Sequence, residues 1–311
     1  MDQGQPQNSE FLEQCRQKAA LHFGIETLRS SQIDVLKLLP SNSHVLATLP
    51  TGAGKTLIYT LPALVMSQKP VIVISPLIAL MRDQVRRMDE ANIPSVLLTS
   101  EQDENERRES YNKIFSPETR LIFVSPERLA LYSFRQLLKR VSPQMVVVDE
   151  AHCIATWGVG FRPEYGQLGL FLQEIQPERV LALTATAANA TRRIIRQVLF
   201  GSETGGTEYV SKPLRPHIFL ESRRCFSEKE KFEELTHLLE QQGTGKSIVY
   251  FPTRKQCEDN ARVLRQKGFR AMVYHAGLNR NQRTSVEQYV HKSQSEKMVV
   301  CEFRLRHDRR E

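Results

Sequence analysis

Leu49-Pro50-Thr51-Gly52-Ala53-Gly54-Lys55-Thr56 is the stretch on which the fold turns. An apolar, strand-like run at 45–49 leads into it and a helical pattern follows it. In that context the glycines let backbone N–H groups close around phosphate oxygens, and the helix N-terminus adds a favourable dipole. Lys55 supplies positive charge to the β- and γ-phosphates, and the Thr56 hydroxyl is the expected Mg²⁺ contact. Thr51, Gly52, Ala53, Gly54, Lys55 and Thr56 are therefore the expected nucleotide-binding set. The fullest form of this pattern has glycine where this chain has Leu49, a mild departure. A similar string, Gly243-Thr244-Gly245-Lys246-Ser247, follows a helical pattern and leads into a strand. No helix N-terminus would face a ligand there, so it reads as a turn.

Outward from the loop, short apolar runs at 45–49, 71–75, 121–124, 145–148 and 180–183 alternate with amphipathic stretches at 77–90, 105–115 and 189–199. Strands alternating with helices predict an α/β fold with a parallel sheet covered on both faces. Residues 201–216 hold Gly205, Gly206, Pro213 and Pro216 and read as a linker. The alternation then restarts, with strands at 248–251, 271–274 and 298–301 and helices at 227–241, 254–266 and 280–290.

Asp149-Glu150-Ala151-His152 closes the run at 145–148. A carboxylate at the C-terminal end of a parallel strand faces the ligand crevice. Asp149 is the expected Mg²⁺ partner of Thr56, Glu150 the group that polarises the attacking water, and His152 a sensor of the γ-phosphate.

The chain has 311 residues, enough for two domains, with 40% hydrophobic and 25% charged residues, which predicts a buried core rather than a disordered chain. The formal net charge of +8 suits a polyanionic partner such as nucleic acid. No two of Cys15, Cys153, Cys225, Cys257 and Cys301 have C-x-x-C spacing, so no zinc is expected, and a reducing compartment fits. The polar N-terminus predicts no signal peptide, and the apolar runs are too short to span a membrane.

Asp149 to Tyr165, D-E-A-H-C-I-A-T-W-G-V-G-F-R-P-E-Y, resembles the signature of the RecQ helicases, in which the acidic motif runs into an aromatic-rich loop. Other matches follow in order. Phe23-Gly24 with Arg29 and Gln32 looks like the adenine-reading motif, with the glutamine pairing the base and the arginine stacking on it. Ser75-Pro76-Leu77-Ile78-Ala79-Leu80 through Gln84, and Val124-Ser125-Pro126-Glu127-Arg128-Leu129, look like strand-contacting motifs. Thr184-Ala185-Thr186-Ala187 looks like the motif coupling hydrolysis to DNA, and Ile248-Val249-Tyr250-Phe251 and Tyr274-His275-Ala276-Gly277-Leu278 also match. The resemblance implies two RecA-like lobes, ATP and Mg²⁺ as cofactors, and single-stranded and forked DNA as partners. It further implies ATP-driven 3′-to-5′ unwinding in repair or recombination, in the nucleus of a eukaryote or the cytoplasm and nucleoid of a bacterium. On it, Ser75, Gln84, Trp157, Phe161, Arg162, Thr184 and Thr186 contact DNA or couple it to hydrolysis. Trp157 and Phe161 have faces that stack on unpaired bases, and Arg162 can contact phosphate.

The resemblance runs from about Leu21 to Cys301. It departs at Val159 and Gly160, where the family loop carries His and Asp or Asn. It departs again after Cys301, where the family continues into a threonine- and glycine-rich motif and an arginine-bearing one. The expected organisation is a flexible segment at 1–20, a first lobe at 21–213, an incomplete second lobe at 214–301 and a basic tail at 302–311. The alternative expectation is a nucleotide- and DNA-binding chain without a productive motor cycle.

Overall fold

The computed structural model describes residues 5–157, 163–185, 187–211, 218–275, 277–292 and 298–303. The chain divides into two compact units, residues 1–215 and 216–311, two residues beyond the expected boundary.

The first unit opens with two helices, α1 (Gln5–Phe23) and α2 (Ser30–Leu38), then strand β1 (His44–Thr48). The alternation continues through α3 (Lys55–Val65), β2 (Val71–Ile74), α4 (Ile78–Glu90), β3 (Ser95–Leu98), α5 (Glu104–Lys113) and β4 (Leu121–Val124). Next come α6 (Pro126–Leu129), α7 (Tyr132–Val141), β5 (Met145–Val148), α8 (Cys153–Trp157), a 3-10 turn (Pro163–Gln167) and α9 (Leu168–Ile175). The unit ends with β6 (Arg179–Thr184), α10 (Asn189–Phe200) and β7 (Thr207–Val210). The seven strands form one sheet in the order β3-β4-β2-β5-β6-β1-β7, with every pairing parallel. The interior strands β2, β4 and β5 are buried at every position, as a sheet covered on both faces requires.

Two expectations need correction here. Residues 1–20 were read as flexible, yet Phe11, Leu12, Cys15 and Ala19 of α1 lie in the core with Ile58, Tyr59 and Leu61 of α3. Their spacing marks one helical face, a period that outweighs the polar residues between them. The stretch 201–216 was read as linker, but β7 within it pairs with β1, Val45 opposite Thr207 and Thr48 opposite Val210. Gly206 makes that strand possible. Its φ is +71°, and an added Cβ would stand 2.9 Å from the Cβ and carbonyl oxygen of His44, so only glycine fits the turn out of α10.

The second unit contains α11 (Glu228–Gln241), β8 (Lys246–Phe251), α12 (Arg254–Gln266), β9 (Ala271–Tyr274), α13 (Arg280–Lys292) and β10 (Met298–Phe303). Its parallel sheet has the order β8-β10-β9. Among the described residues Leu239, Cys257, Ala261, Leu264 and Ala271 are buried, with Phe232, Leu235, Val249 and Phe251 packed against them. On the other face of β8, Ile248 and Tyr250 are exposed. The tail was expected to begin at 302, but Glu302 and Phe303 extend β10 opposite Tyr250 and Phe251. The rest of it, 304–311, lies outside the described residues.

Candidate nucleotide site

The sheet order brings the site together. β6 lies between the strand that feeds the glycine loop, β1, and the strand that ends in Asp149, β5. Leu49 N–H donates to Thr184 O at 2.9 Å, Ala151 N–H to Leu183 O at 2.9 Å and Asp149 N–H to Ile74 O at 2.8 Å. These bonds hold the ends of β1, β6, β5 and β2 together at the C-terminal edge of the sheet, where ligand crevices form in parallel sheets.

Gly54 sits at the N-cap of α3 with φ +75° and has no side chain to satisfy the first-turn N–H groups. Leu57 N–H donates back to Gly54 O at 3.1 Å, and the N–H groups that open a helix ahead of it suit an anion. Gln32, almost fully buried, braces the loop. Its Nε2 donates to Ala53 O at 3.1 Å and Gly54 O at 3.2 Å, while its Oε1 accepts the Arg29 N–H at 2.9 Å. A Cβ at Gly54 would collide with Gln32 Nε2 at 2.4 Å. The Arg29 guanidinium donates to Gly52 O. The two residues expected to read adenine therefore hold the phosphate loop from behind in this structure.

Lys55 Nζ is 2.9 Å from Glu150 Oε1 and 3.8 Å from Asp149 Oδ1, with all three side chains mostly buried. Burial pushes the Asp149 carboxyl above its ordinary range, against the pull of Lys55 and with the Glu150 charge adding to the rise. Burial also pushes Glu150 up, but hydrogen bonds from His152 and Lys55 and the charge of Lys55 outweigh it and hold this carboxyl at about 2. Glu150 has a φ of +48°, a left-handed conformation that costs a non-glycine residue about 1–3 kcal/mol. His152 Nδ1 stands 3.1 Å from Thr184 Oγ1 and 3.3 Å from Glu150 Oε2. As an N–H it joins the carboxylate to the end of β6. Carboxylate and hydroxyl oxygens are the donors a hard divalent cation takes, so Asp149 and Thr56 fit Mg²⁺ in chemical type.

The remaining expected residues are not all brought to this site. Ser75 and Gln84 are buried, and neither Ser75 Oγ nor Gln84 Oε1 has a hydrogen-bond partner among the described residues. Their side chains face the interior of the unit, not a strand on its surface. Trp157 was expected in a loop, but its backbone closes α8. Phe161, Arg162 and Thr186 lie outside the described residues. The second glycine-lysine string runs from the end of α11 into β8, with Lys246 the first residue of the strand, so no helix begins there.

A parallel sheet with a glycine loop, an acidic pair at a strand end and one strand between them defines a nucleotide-binding RecA-like unit. The DEAD/DEAH box helicase family matches residues 29–194, and the helicase conserved C-terminal domain matches 230–302. The chain belongs to the DEAD/DEAH box helicase family. Among curated proteins it is similar to the ATP-dependent DNA helicase RecQ of Haemophilus influenzae, 36% identical over 86% of this chain and 42% of that protein. It is 38% identical to RecQ of Pasteurella multocida over 85% of this chain and 41% of that protein. The ATP-dependent DNA helicase hus2/rqh1 of Schizosaccharomyces pombe is 34% identical over 85% of this chain and 20% of that protein. The chain thus spans about two-fifths of the length of these two bacterial relatives. Among solved structures, the Mycobacterium smegmatis helicase Lhr bound to ssDNA and AMP-PNP superposes with a TM-score of 0.63 at 19% identity, covering 95% of this chain and 41% of that one. S. cerevisiae Dbp5 bound to RNA and ADP BeF3 gives 0.65 at 18% identity, covering 93% and 73%. Both likenesses are of fold. Among the described residues no helix is long and apolar enough to cross a membrane.

Proposed function

We propose that this chain is the nucleotide-driven part of a RecQ-type DNA helicase, coupling ATP hydrolysis to movement on single-stranded DNA and to 3′-to-5′ separation of forked duplexes in repair or recombination. It would work in the nucleus of a eukaryote or the cytoplasm and nucleoid of a bacterium. The observation that carries this reading is Lys55 poised between Asp149 and Glu150 at the mouth of the glycine loop, in a chain 36% identical to a protein named as an ATP-dependent DNA helicase.

The proposed roles are as follows. Backbone N–H groups at Gly52–Gly54 and the start of α3 cradle the phosphates, and Lys55 leaves Glu150 to meet them. Asp149 and Thr56 are the residues that would hold Mg²⁺, which when bound supplies charge to the phosphate oxygens. Glu150 stays ionised at neutral pH, so it can accept a hydrogen bond from the attacking water and orient it. His152 transmits the state of that carboxylate to Thr184 at the end of β6, in the segment shared with Thr186. Arg29 and Gln32 report nucleotide binding to the loop they brace. Trp157, Phe161 and Arg162 supply stacking faces and a cation for unpaired DNA. Ser75 and Gln84, being buried, act on the DNA-facing segment from within.

The test is ATP hydrolysis by the purified chain with and without single-stranded DNA. The expected result is Mg²⁺-dependent nucleotide binding, DNA stimulation of turnover, and loss of both in Lys55→Ala. Stimulation by RNA and not DNA, or hydrolysis untouched by Lys55→Ala, contradicts the reading. Nucleotide and DNA binding without turnover supports the alternative, a chain without a productive motor cycle.

A further inference from the structure

The end of β6 and the edge strand β7 are joined by α10, the helix that crosses between them. Arg192, the fourth residue of α10, folds back toward the start of its own helix. Its Nη1 donates to Ala187 O at 2.8 Å and its Nη2 to Asn189 Oδ1. Its Nε pairs with the Glu208 carboxylate on β7, with both side chains mostly buried. Arg196, one turn further on, meets the other Glu208 oxygen at 3.5 Å and donates to Gly205 O at 2.8 Å. A guanidinium turned to the N-terminal end of a helix opposes the helix dipole, which favours anions there. The first turn of α10 holds no acidic residue, so the countercharge comes from Glu208 on another element. Stability of α10 alone therefore does not account for Arg192. What its position gains is a hold on Ala187, the last residue of the segment that opens at Thr184.

We propose that Arg192 is a positioning residue for the segment 184–187, fastening it through Glu208 to β7 so that a shift of one moves the other. At the opposite end of the segment, His152 Nδ1 stands 3.1 Å from Thr184 Oγ1 and 3.3 Å from Glu150 Oε2. The contacts thus run from the carboxylate proposed to orient water, along the end of β6, to the edge strand that pairs with β1 and is the last strand of the first unit. Arginine suits the place. Its planar fork of fixed donors meets a carbonyl, an amide oxygen and a carboxylate at once, an arrangement that the single ammonium of lysine does not reproduce. The inference rests on the reading that the segment 184–187 couples nucleotide to DNA. It adds two residues, Arg192 and Glu208, that lie outside that motif.

The test is Arg192→Lys in the full chain, beside Arg196→Lys, with fluorescent single-stranded DNA titrated in the presence and absence of a non-hydrolysable Mg-ATP analogue. In the parent the analogue is expected to change DNA affinity by about fivefold or more, the lower end of the usual coupling between two sites. In Arg192→Lys that change should shrink to about twofold or less, while each ligand alone binds within about twofold of the parent. Arg196→Lys, whose side chain contacts Glu208 and the carbonyls of 204–206 instead of Ala187, should keep the parental change. If Arg192 merely fastens α10 to β7, the two variants behave alike, with coupling kept in both or lost in both, and that result overturns the inference. A parent chain whose DNA affinity ignores the nucleotide sinks the coupling reading and the inference together. A coupled parent whose coupling survives in Arg192→Lys sinks the inference alone.

Discussion

Lys55 stands between two carboxylates whose acidities are displaced in opposite directions, Asp149 upward and Glu150 down to about 2. A depressed carboxyl stabilises the fold above its ordinary value of 4.5 and loses that contribution as pH falls through its folded value. Glu150→Gln should therefore lower the nucleotide-free melting temperature at neutral pH, and its difference from the parent should shrink between pH 4.5 and about 2. Thermal melts across that range check this. The same substitution should keep Mg-nucleotide binding while cutting turnover by about 10²-fold or more, as loss of a water-orienting carboxylate does. The residues of the glycine loop and the acidic motif were legible in sequence because each belongs to a local strand-end pattern. The bonds from Gln32 to Ala53 and Gly54 were not, since they join backbone atoms about twenty positions away that only the folded chain brings near. Ser75 and Gln84 show the converse, for a motif fixes residue identity and not which way a side chain faces.

At the scale of elements, the strands β1, β2, β4, β5 and β6 were readable as unbroken apolar runs, and the second unit's three strands likewise. β3 and β7 were not read as strands. β3 has one residue in two turned away from the core, and β7, Thr-Glu-Tyr-Val, is an edge strand half in solvent among turn residues. α1 was hidden by its polar residues, though its apolar face anchors it to α3. Leu12 is buried in that contact, so Leu12→Ala should cost about 2–4 kcal/mol, read as a lower midpoint in urea unfolding of the first unit. A helix that merely frays in solvent would show no such loss.

At the scale of the whole molecule, the two units differ in how much they bury. Among the described residues, the first has core clusters on both faces of a seven-stranded sheet and the second a smaller cluster on a three-stranded sheet. The second should unfold first on heating, since stability grows with the fraction of surface buried. Phe219, Leu220 and Phe226 follow the boundary between the units on backbone without regular structure and are 84–87% exposed. Chymotrypsin should cut there early, and mass spectrometry of the digest should find a persistent fragment covering the first unit that still binds Mg-nucleotide. Each unit also carries one glycine-lysine string, and the central claim is that only the first, which opens a helix, holds a phosphate. Equilibrium titration of Mg-ATP analogue into the parent, Lys55→Ala and Lys246→Ala tests that claim most directly. Lys246→Ala should keep parent-like affinity, and Lys55→Ala should lose about tenfold or more, matching a charged contact of about 1.5–3 kcal/mol. Equal losses in the two variants, or a loss in Lys246→Ala alone, would contradict it.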